Sequence, residues 1–117
     1  MNHFISLPEA QGMTKRFRDN KEAVLEASLR HQNILPICET FDKEAFVILL
    51  NKPGCVGIRI YYGMDEDLKV HAVIVASDEN GNDILTQGPV MLTEENDIIE
   101  RGNRCPDLCP PSSPLNT

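Results

Sequence analysis

The pattern of apolar residues changes its period near Cys55, in the middle of the chain. Beyond that residue apolar side chains alternate with polar or small ones, so Val56, Ile58 and Ile60 point to one face of an extended chain. A second apolar run, VHAVIVAS, begins at residue 70 after the polar turn GMDEDLK. Two strands joined by a short turn most simply form an antiparallel hairpin. The pattern therefore predicts a β-sheet in the second half of the chain.

The first half of the chain carries the signals of helices instead. Ser6 and Glu9 have the spacing of a capping box, and Pro8 falls in the first turn, where its missing N–H costs nothing. Asp19 and the glutamate three residues later repeat the box pattern. We therefore expect two short helical elements with a break near Asn20.

A third helix is predicted to begin just after Asp42, which is a good N-cap residue. Phe41 and Phe46 have the spacing of a hydrophobic staple, which fixes the path of the chain into a helix. The run AFVILL (45–50) supplies a buried stripe, and Asn51 followed by KPG ends it. The segment before this helix, HQNILPIC (31–38), is predicted to be a connector.

These elements predict an α+β fold, with N-terminal helices followed by a three- or four-stranded antiparallel sheet and one helix packed on a face. DENGND (78–83) is predicted to be a turn in which Gly81 adopts a positive φ. ILTQGPVML (84–92) is predicted to be irregular or weakly extended, and DIIERG (97–102) is a candidate third strand. A chain of 117 residues fits one domain. We assign residues 1–102 to a single α+β domain and 103–117 to a Cys/Pro-rich C-terminal tail.

The charge of the chain argues against nucleic acid as a partner. Its formal net charge is −7, which repels a phosphate backbone over most of the surface. Four basic residues near the N-terminus are expected to form a solvated helix face: Lys15, Arg16, Arg18 and Lys21.

The sequence shows no targeting signal, which predicts a cytoplasmic location. The N-terminus lacks a basic stretch followed by an apolar run, so it does not have the pattern of a secretory signal. The longest apolar run, AFVILL, is far shorter than the roughly 20 residues that span a bilayer. We therefore expect a cytoplasmic protein that does not enter the membrane and whose cysteines stay mostly reduced.

The four cysteines are the main candidates for chemistry. Cys105 and Cys109 have the spacing of one ligand pair in a zinc site, which needs four thiolate or imidazole ligands in total. Cys55, together with Cys38 or His71, would have to complete the set. Pro106 and the following aspartate suit a turn that brings the two C-terminal sulfurs together, so a local disulfide that pins the tail is the other interpretation.

No catalytic motif appears in the chain. It has no G-x-S-x-G elbow, no Gly-rich phosphate loop and no H-E-x-x-H helix. The leading hypothesis is therefore a non-enzymatic protein-interaction or accessory module without a cofactor. Its partner would be an unidentified protein, or a second copy that binds through an edge strand. The alternative is a zinc or iron–sulfur protein that uses the cysteines named above.

The chain also resembles two known families. PGCVGIRIYYG (53–63), DENGNDIL (78–85) and CPDLCPPSSPLN (105–116) resemble, in this order, a family of small uncharacterised bacterial proteins. That resemblance implies a bacterial origin and no particular activity. AFVILLNKPGCVGIRI (45–60), followed by two closely spaced terminal cysteines, is similar to the layout of A-type iron–sulfur carriers. That likeness implies an iron–sulfur cluster, although the chain has C-P-D-L-C where the carriers have C-G-C.

Overall fold

The computed structural model describes residues 2–85 and 97–117. Within them the chain forms two α-helices, a 3₁₀ turn and five strands: α1 (Leu7–Asn20), the 3₁₀ turn (Ala27–Leu29), β1 (Cys38–Thr40), α2 (Lys43–Leu50), β2 (Gly57–Met64), β3 (Val70–Ser77), β4 (Ile98–Ile99) and β5 (Asn103–Cys105). The strands form two antiparallel sheets, one in the order β2-β3-β4 and one that pairs β1 with β5. The predicted α+β class is confirmed.

Helix α1 begins as its capping residues predict. The backbone N–H of Glu9 donates to Oγ of Ser6 at 3.2 Å, so the cap satisfies one of the free N–H groups of the first turn. The break near Asn20 is also present, but the second element is only the 3₁₀ turn. Asp19 does not cap a new helix because it lies inside α1, where its carboxylate binds Lys15 at 2.5 Å.

None of the residues of α1 is buried. Of the four basic residues predicted to form a solvated face, Lys15 and Arg16 are exposed, whereas Arg18 and Lys21, which follows the helix, are partly buried. Arg18 donates to the carbonyl oxygen of Leu115 at 2.7 Å, and Lys21 binds Glu22 at 2.7 Å. The first of these contacts joins α1 to the end of the chain.

Helix α2 forms where the staple predicts it. The rings of Phe41 and Phe46 meet edge to face with centroids 6.1 Å apart, an arrangement that favours the path into the helix. The buried stripe is narrower than expected: Leu49 is buried, whereas Val47 and Leu50 are exposed. A helix of eight residues that packs on one sheet face covers only part of its own apolar surface.

The predicted hairpin forms the larger sheet. Strands β2 and β3 pair over eight positions, from Gly57 opposite Ser77 to Met64 opposite Val70. Beyond the turn that contains Gly81, whose φ is +83° as predicted, the segment expected to be irregular lies outside the described residues from position 86 onward. The candidate third strand, DIIERG, supplies β4, which pairs with β3.

A buried ion pair holds β4 near α2. Nζ of Lys52, just after α2, lies 2.6 Å from Oδ1 of Asp97, just before β4. The two side chains are only 15% and 4% exposed, so the pair interacts with little screening by water.

The apolar core of the larger sheet is small. Its buried centre is formed by Leu49, Ile74 and Ala76, and Phe46 and Ile58 pack against it. The radius of gyration is 16.5 Å, against about 13 Å expected for a compact domain of this length. Much of the apolar surface of the chain therefore stays in contact with solvent.

The smaller sheet was not predicted from the sequence. The connector HQNILPIC ends in β1, and the segment assigned to the tail begins with β5. The close approach of the chain before β5 requires a glycine, because a Cβ at Gly102 would lie 2.6 Å from Cζ of Phe41. The register of the pair places Glu39 opposite Arg104.

The buried guanidinium of Arg104 joins three segments of the chain. Its Nη2 atom donates to the carbonyl oxygens of Asn33, Ile34 and Val70 at 3.0–3.2 Å, and the residue is 6% exposed. Beside it, Oε1 of Glu39 accepts the N–H of Ala72 at 2.9 Å. The two opposite charges thus anchor the smaller sheet to the start of β3 and to the loop before β1.

Replacement of the buried cation tests this anchor. Arg104→Met keeps the length of the side chain but removes the donor to the carbonyl oxygens of Asn33, Ile34 and Val70. We expect the free energy of unfolding to fall by about 3 kcal/mol, as when the charged donor of buried hydrogen bonds is removed and its acceptors are left unpaired. Urea denaturation followed by circular dichroism measures the change. Arg101→Met, at an exposed residue nearby, is the control, and an equal loss in both variants would contradict the anchor.

Candidate functional site

The C-terminal cysteines form the local disulfide that was one interpretation of their spacing. Cys105 and Cys109 are bonded to each other, with their Cα atoms 4.5 Å apart. Cys105 is 5% exposed, whereas Cys109 lies at the surface. The expectation of mostly reduced cysteines is therefore wrong for this pair, because the turn between them brings the sulfurs into bonding distance. Zinc and iron–sulfur clusters bind thiolates, and this pair offers none while the disulfide is intact.

A third cysteine lies beside this disulfide. Cys38 is a free thiol, and its Cα partner across the β1–β5 ladder is Cys105. The sequence carried no signal for this approach, since each strand has only three residues and shows no alternation of its own. The smaller sheet thus brings together three of the four cysteines that were predicted as metal ligands.

Cys55 has a different environment. Its thiol donates to the carbonyl oxygen of Gly57 at 3.4 Å, and the side chain packs against the core of the larger sheet. Among residues 2–85 and 97–117, no three His, Cys, Asp or Glu side chains form a group that could hold a metal ion. Metal binding stays a hypothesis for the reduced protein.

An apolar groove runs between β1 and the face of the larger sheet. Its volume is about 360 Å³, and Cys38 lies on its wall. The other lining residues are Pro36, Glu39, Phe41, Phe46, Ile60, Ala72 and Ile74. The small core leaves this groove open because α2 covers only one end of the hairpin.

His71, the other predicted ligand, lies between two carboxylates. Its Nε2 is 2.8 Å from Oδ2 of Asp65, and its Nδ1 is 3.2 Å from Oε1 of Glu100 without hydrogen-bond geometry. The hydrogen bond to His71, assisted by the backbone N–H groups of Lys69 and Asp67, holds the pKa of Asp65 below its usual value.

The pocket around His71 offers few other polar groups. Both ring nitrogens face carboxylates, and Nε2 is hydrogen-bonded to Asp65. The remaining residues that line it, in the part of the chain that is described, are Gly63, Met64 and Val73, which carry no nucleophile. We therefore assign the His71 cluster a structural role at the end of the hairpin, where it fixes the turn between β2 and β3.

The lowered pKa of Asp65 makes a testable contribution to stability. The pKa is depressed in the folded state, so the carboxylate stabilises the fold fully above the unfolded value of about 3.8. That stability is lost as the pH falls through the depressed pKa. We expect wild type to be more stable than Asp65→Asn at pH 7, and the difference to shrink as the pH falls below about 3.8 and to vanish only below the depressed pKa.

Urea denaturation of both proteins over a pH series measures this difference. Asp67→Asn, which removes an exposed carboxylate from the same turn, is the control. A difference between wild type and Asp65→Asn that does not change with pH would contradict the role of the carboxylate.

The free edge of β2 is an exposed element of the larger sheet. Within the described residues β2 is hydrogen-bonded only to β3, so one side of its backbone has no strand partner. Ile60, Tyr62 and Met64 alternate along one face and are 51%, 83% and 60% exposed. We call this feature the β2 edge, which comprises the unpaired backbone of Gly57–Met64 and these three side chains.

The single charge of β2 is already engaged. Arg59 binds Oδ1 of Asp83 at 2.5 Å, and the hydroxyl of Tyr61 donates to Oδ2 of the same carboxylate at 2.6 Å. These contacts, that of Tyr61 first, lower the pKa of Asp83, and the facing carboxylate raises the pKa of Tyr61. These contacts link β2 to the turn that follows β3.

Comparison with known proteins does not assign a family. No protein-family model, no curated protein and no solved structure matches this chain. The two resemblances noted from the sequence therefore stay predictions, and a function has to be argued from the geometry of the surface.

Proposed function

We propose that this chain is a non-enzymatic protein-interaction module whose contact element is the β2 edge. The observation that carries the proposal is an eight-residue edge strand with three large apolar side chains exposed on one face. An unpaired strand edge offers a row of N–H and C=O groups to another extended chain. Pairing at such an edge is a common mode of protein recognition, in which the backbone gives affinity and alternate side chains give specificity.

The composition of β2 supports this proposal. Proteins usually protect an exposed edge with lysine, proline or a bulge, which prevent pairing with other chains. β2 contains neither lysine nor proline, and its eight pairs with β3 run without interruption. Its one charged residue, Arg59, is neutralised by Asp83. The edge therefore lacks these features that would keep a further strand away.

The occupant that we propose is a second copy of this chain, with its β2 antiparallel to the first. If Ile60 lies opposite its own copy, then Ile58 lies opposite Tyr62 and Arg59 lies opposite Tyr61. This register pairs apolar with aromatic side chains and places a cation beside a ring. The register is compatible with twofold symmetry and places no two like charges opposite each other. The result is one continuous six-stranded sheet.

A charge placed on the edge tests the proposal. Tyr62→Lys puts a protective lysine on the exposed face of β2, and we expect the dissociation constant of the dimer to rise by about tenfold or more. Sedimentation velocity over a concentration series measures this constant. Val24→Lys is the matched control, since Val24 is 71% exposed and lies outside β2. A wild type that stays monomeric throughout the series, or an equal effect of both variants, would rule out pairing through this edge.

The proposal includes a cytoplasmic location, no cofactor and no nucleic-acid partner. The net charge of −7 supports the last of these. In the described part of the chain no helix has both the length and the apolar character needed to cross a membrane.

Metal binding by reduced cysteines is the alternative function. Cys38 lies opposite Cys105 in the ladder, so reduction of the disulfide would place three thiols close together. This arrangement favours the alternative. Under our proposal, protein that is reduced and purified without oxygen contains no stoichiometric zinc or iron in elemental analysis. Stoichiometric metal that is lost in a Cys105→Ser, Cys109→Ser double variant would favour the alternative instead.

A further inference from the structure

The β1–β5 ladder gives Cys105 two possible sulfur partners. It is bonded to Cys109 and lies opposite Cys38. Residues opposite each other in an antiparallel ladder have Cα atoms about 4.5–5.5 Å apart and side chains on the same face. A disulfide needs a Cα separation of about 4.4–6.8 Å. Cys105 can therefore bond to either cysteine without a rearrangement of the strands.

We infer that Cys38, Cys105 and Cys109 form a thiol–disulfide exchange centre in which Cys38 displaces Cys109. The thiolate of Cys38 attacks Sγ of Cys105, the Cys38–Cys105 bond forms, and the Cys105–Cys109 bond breaks. Cys38 gives its proton to solvent, and Cys109 leaves as a thiolate that can take one up. One disulfide exists before and after the step, so no oxidant or reductant is consumed.

The burial of the sulfurs sets the direction of attack. Cys105 is buried and Cys109 is exposed. Attack on Cys105 releases the exposed sulfur, and water solvates its thiolate. Attack on Cys109 would instead leave a thiolate on the buried Cys105, and burial disfavours that charge. Cys38 lies opposite Cys105 in the ladder, and external thiols reach the buried sulfur less easily, so Cys38 is the internal nucleophile.

Exchange changes the position of the free thiol. Before the step the free thiol is that of Cys38, on the apolar groove. After the step it is that of Cys109, on the exposed turn of the tail. The new cross-link closes a far longer loop than the old one and so constrains the unfolded chain more strongly. The step therefore locks β1 to β5 and presents a surface thiolate that attacks small disulfides from solution.

Disulfide mapping can follow this exchange in the intact protein. Unreduced wild type is incubated at pH 8.5 with glutathione disulfide as the probe, denatured in acid with N-ethylmaleimide, and digested with trypsin without reduction. Cys38 lies in peptide 31–43, Cys55 in 44–59, and both C-terminal cysteines lie in 105–117. Mass spectrometry then separates the two disulfide isomers, because only one of them joins 31–43 to 105–117.

In wild type we expect mass spectrometry to detect peptides 31–43 and 105–117 joined by a disulfide, with glutathione or maleimide on Cys109. In Cys38→Ser the labelling of Cys109 should be at least about tenfold lower, since the internal nucleophile is gone. Cys55→Ser is the matched control and should label like wild type. Tyr62→Lys should do the same, because the exchange does not depend on pairing at the β2 edge.

The inference would be overturned if wild type yielded no joined peptides and its Cys109 carried no more label than Cys109 of the Cys38→Ser variant. A second variant tests the geometry by itself. Cys109→Ser, oxidised with glutathione disulfide after circular dichroism has shown that it is folded, should form the Cys38–Cys105 bond. Free thiols or separate glutathione adducts at both positions would show that the two cysteines are not opposed, and would also overturn the inference.

Discussion

The buried guanidinium of Arg104 is the interaction on which the rest of the structure depends. A ladder of three residue pairs has too few hydrogen bonds to persist alone in water. Nη2 of Arg104 donates to the carbonyl oxygen of Val70, which attaches this ladder to the larger sheet, and to those of Asn33 and Ile34 in the loop before β1. Burial of the cation is tolerable because Nη2 is bonded to three carbonyl oxygens, and Glu39, opposite in the ladder, makes its own contact to the backbone of β3. The position of Cys105, the next residue, follows from this anchor.

The small core explains why so much apolar surface remains available for contacts. Helix α2 is short and covers one end of the hairpin, so the groove beside Cys38 and the β2 edge stay exposed. Exposed apolar surface of this kind often marks a site of contact with other proteins, which supports the proposed interaction module. The two proposed activities occupy different parts of the molecule, the edge of one sheet and the ladder of the other, and can be tested separately.

Local pattern was sufficient for much of the fold. The alternation in GIRIYYG and VHAVIVAS predicted β2 and β3, and the staple of Phe41 and Phe46 predicted the start of α2, because these signals arise between neighbours in the chain. The width of the buried stripe on α2 could not be predicted in this way. How much of a helix is covered depends on the partner surface, which here is too small to reach Val47 and Leu50.

By itself the sequence determined the α+β class, the hairpin, the cap of α1 and the cysteines as the candidates for chemistry. Only the tertiary structure decided which cysteines meet. Cys38 and Cys105 belong to short strands without periodicity, and their approach depends on a buried cation that bonds to carbonyl groups. Every residue has a carbonyl group, so the sequence does not indicate which of these groups Arg104 will bind.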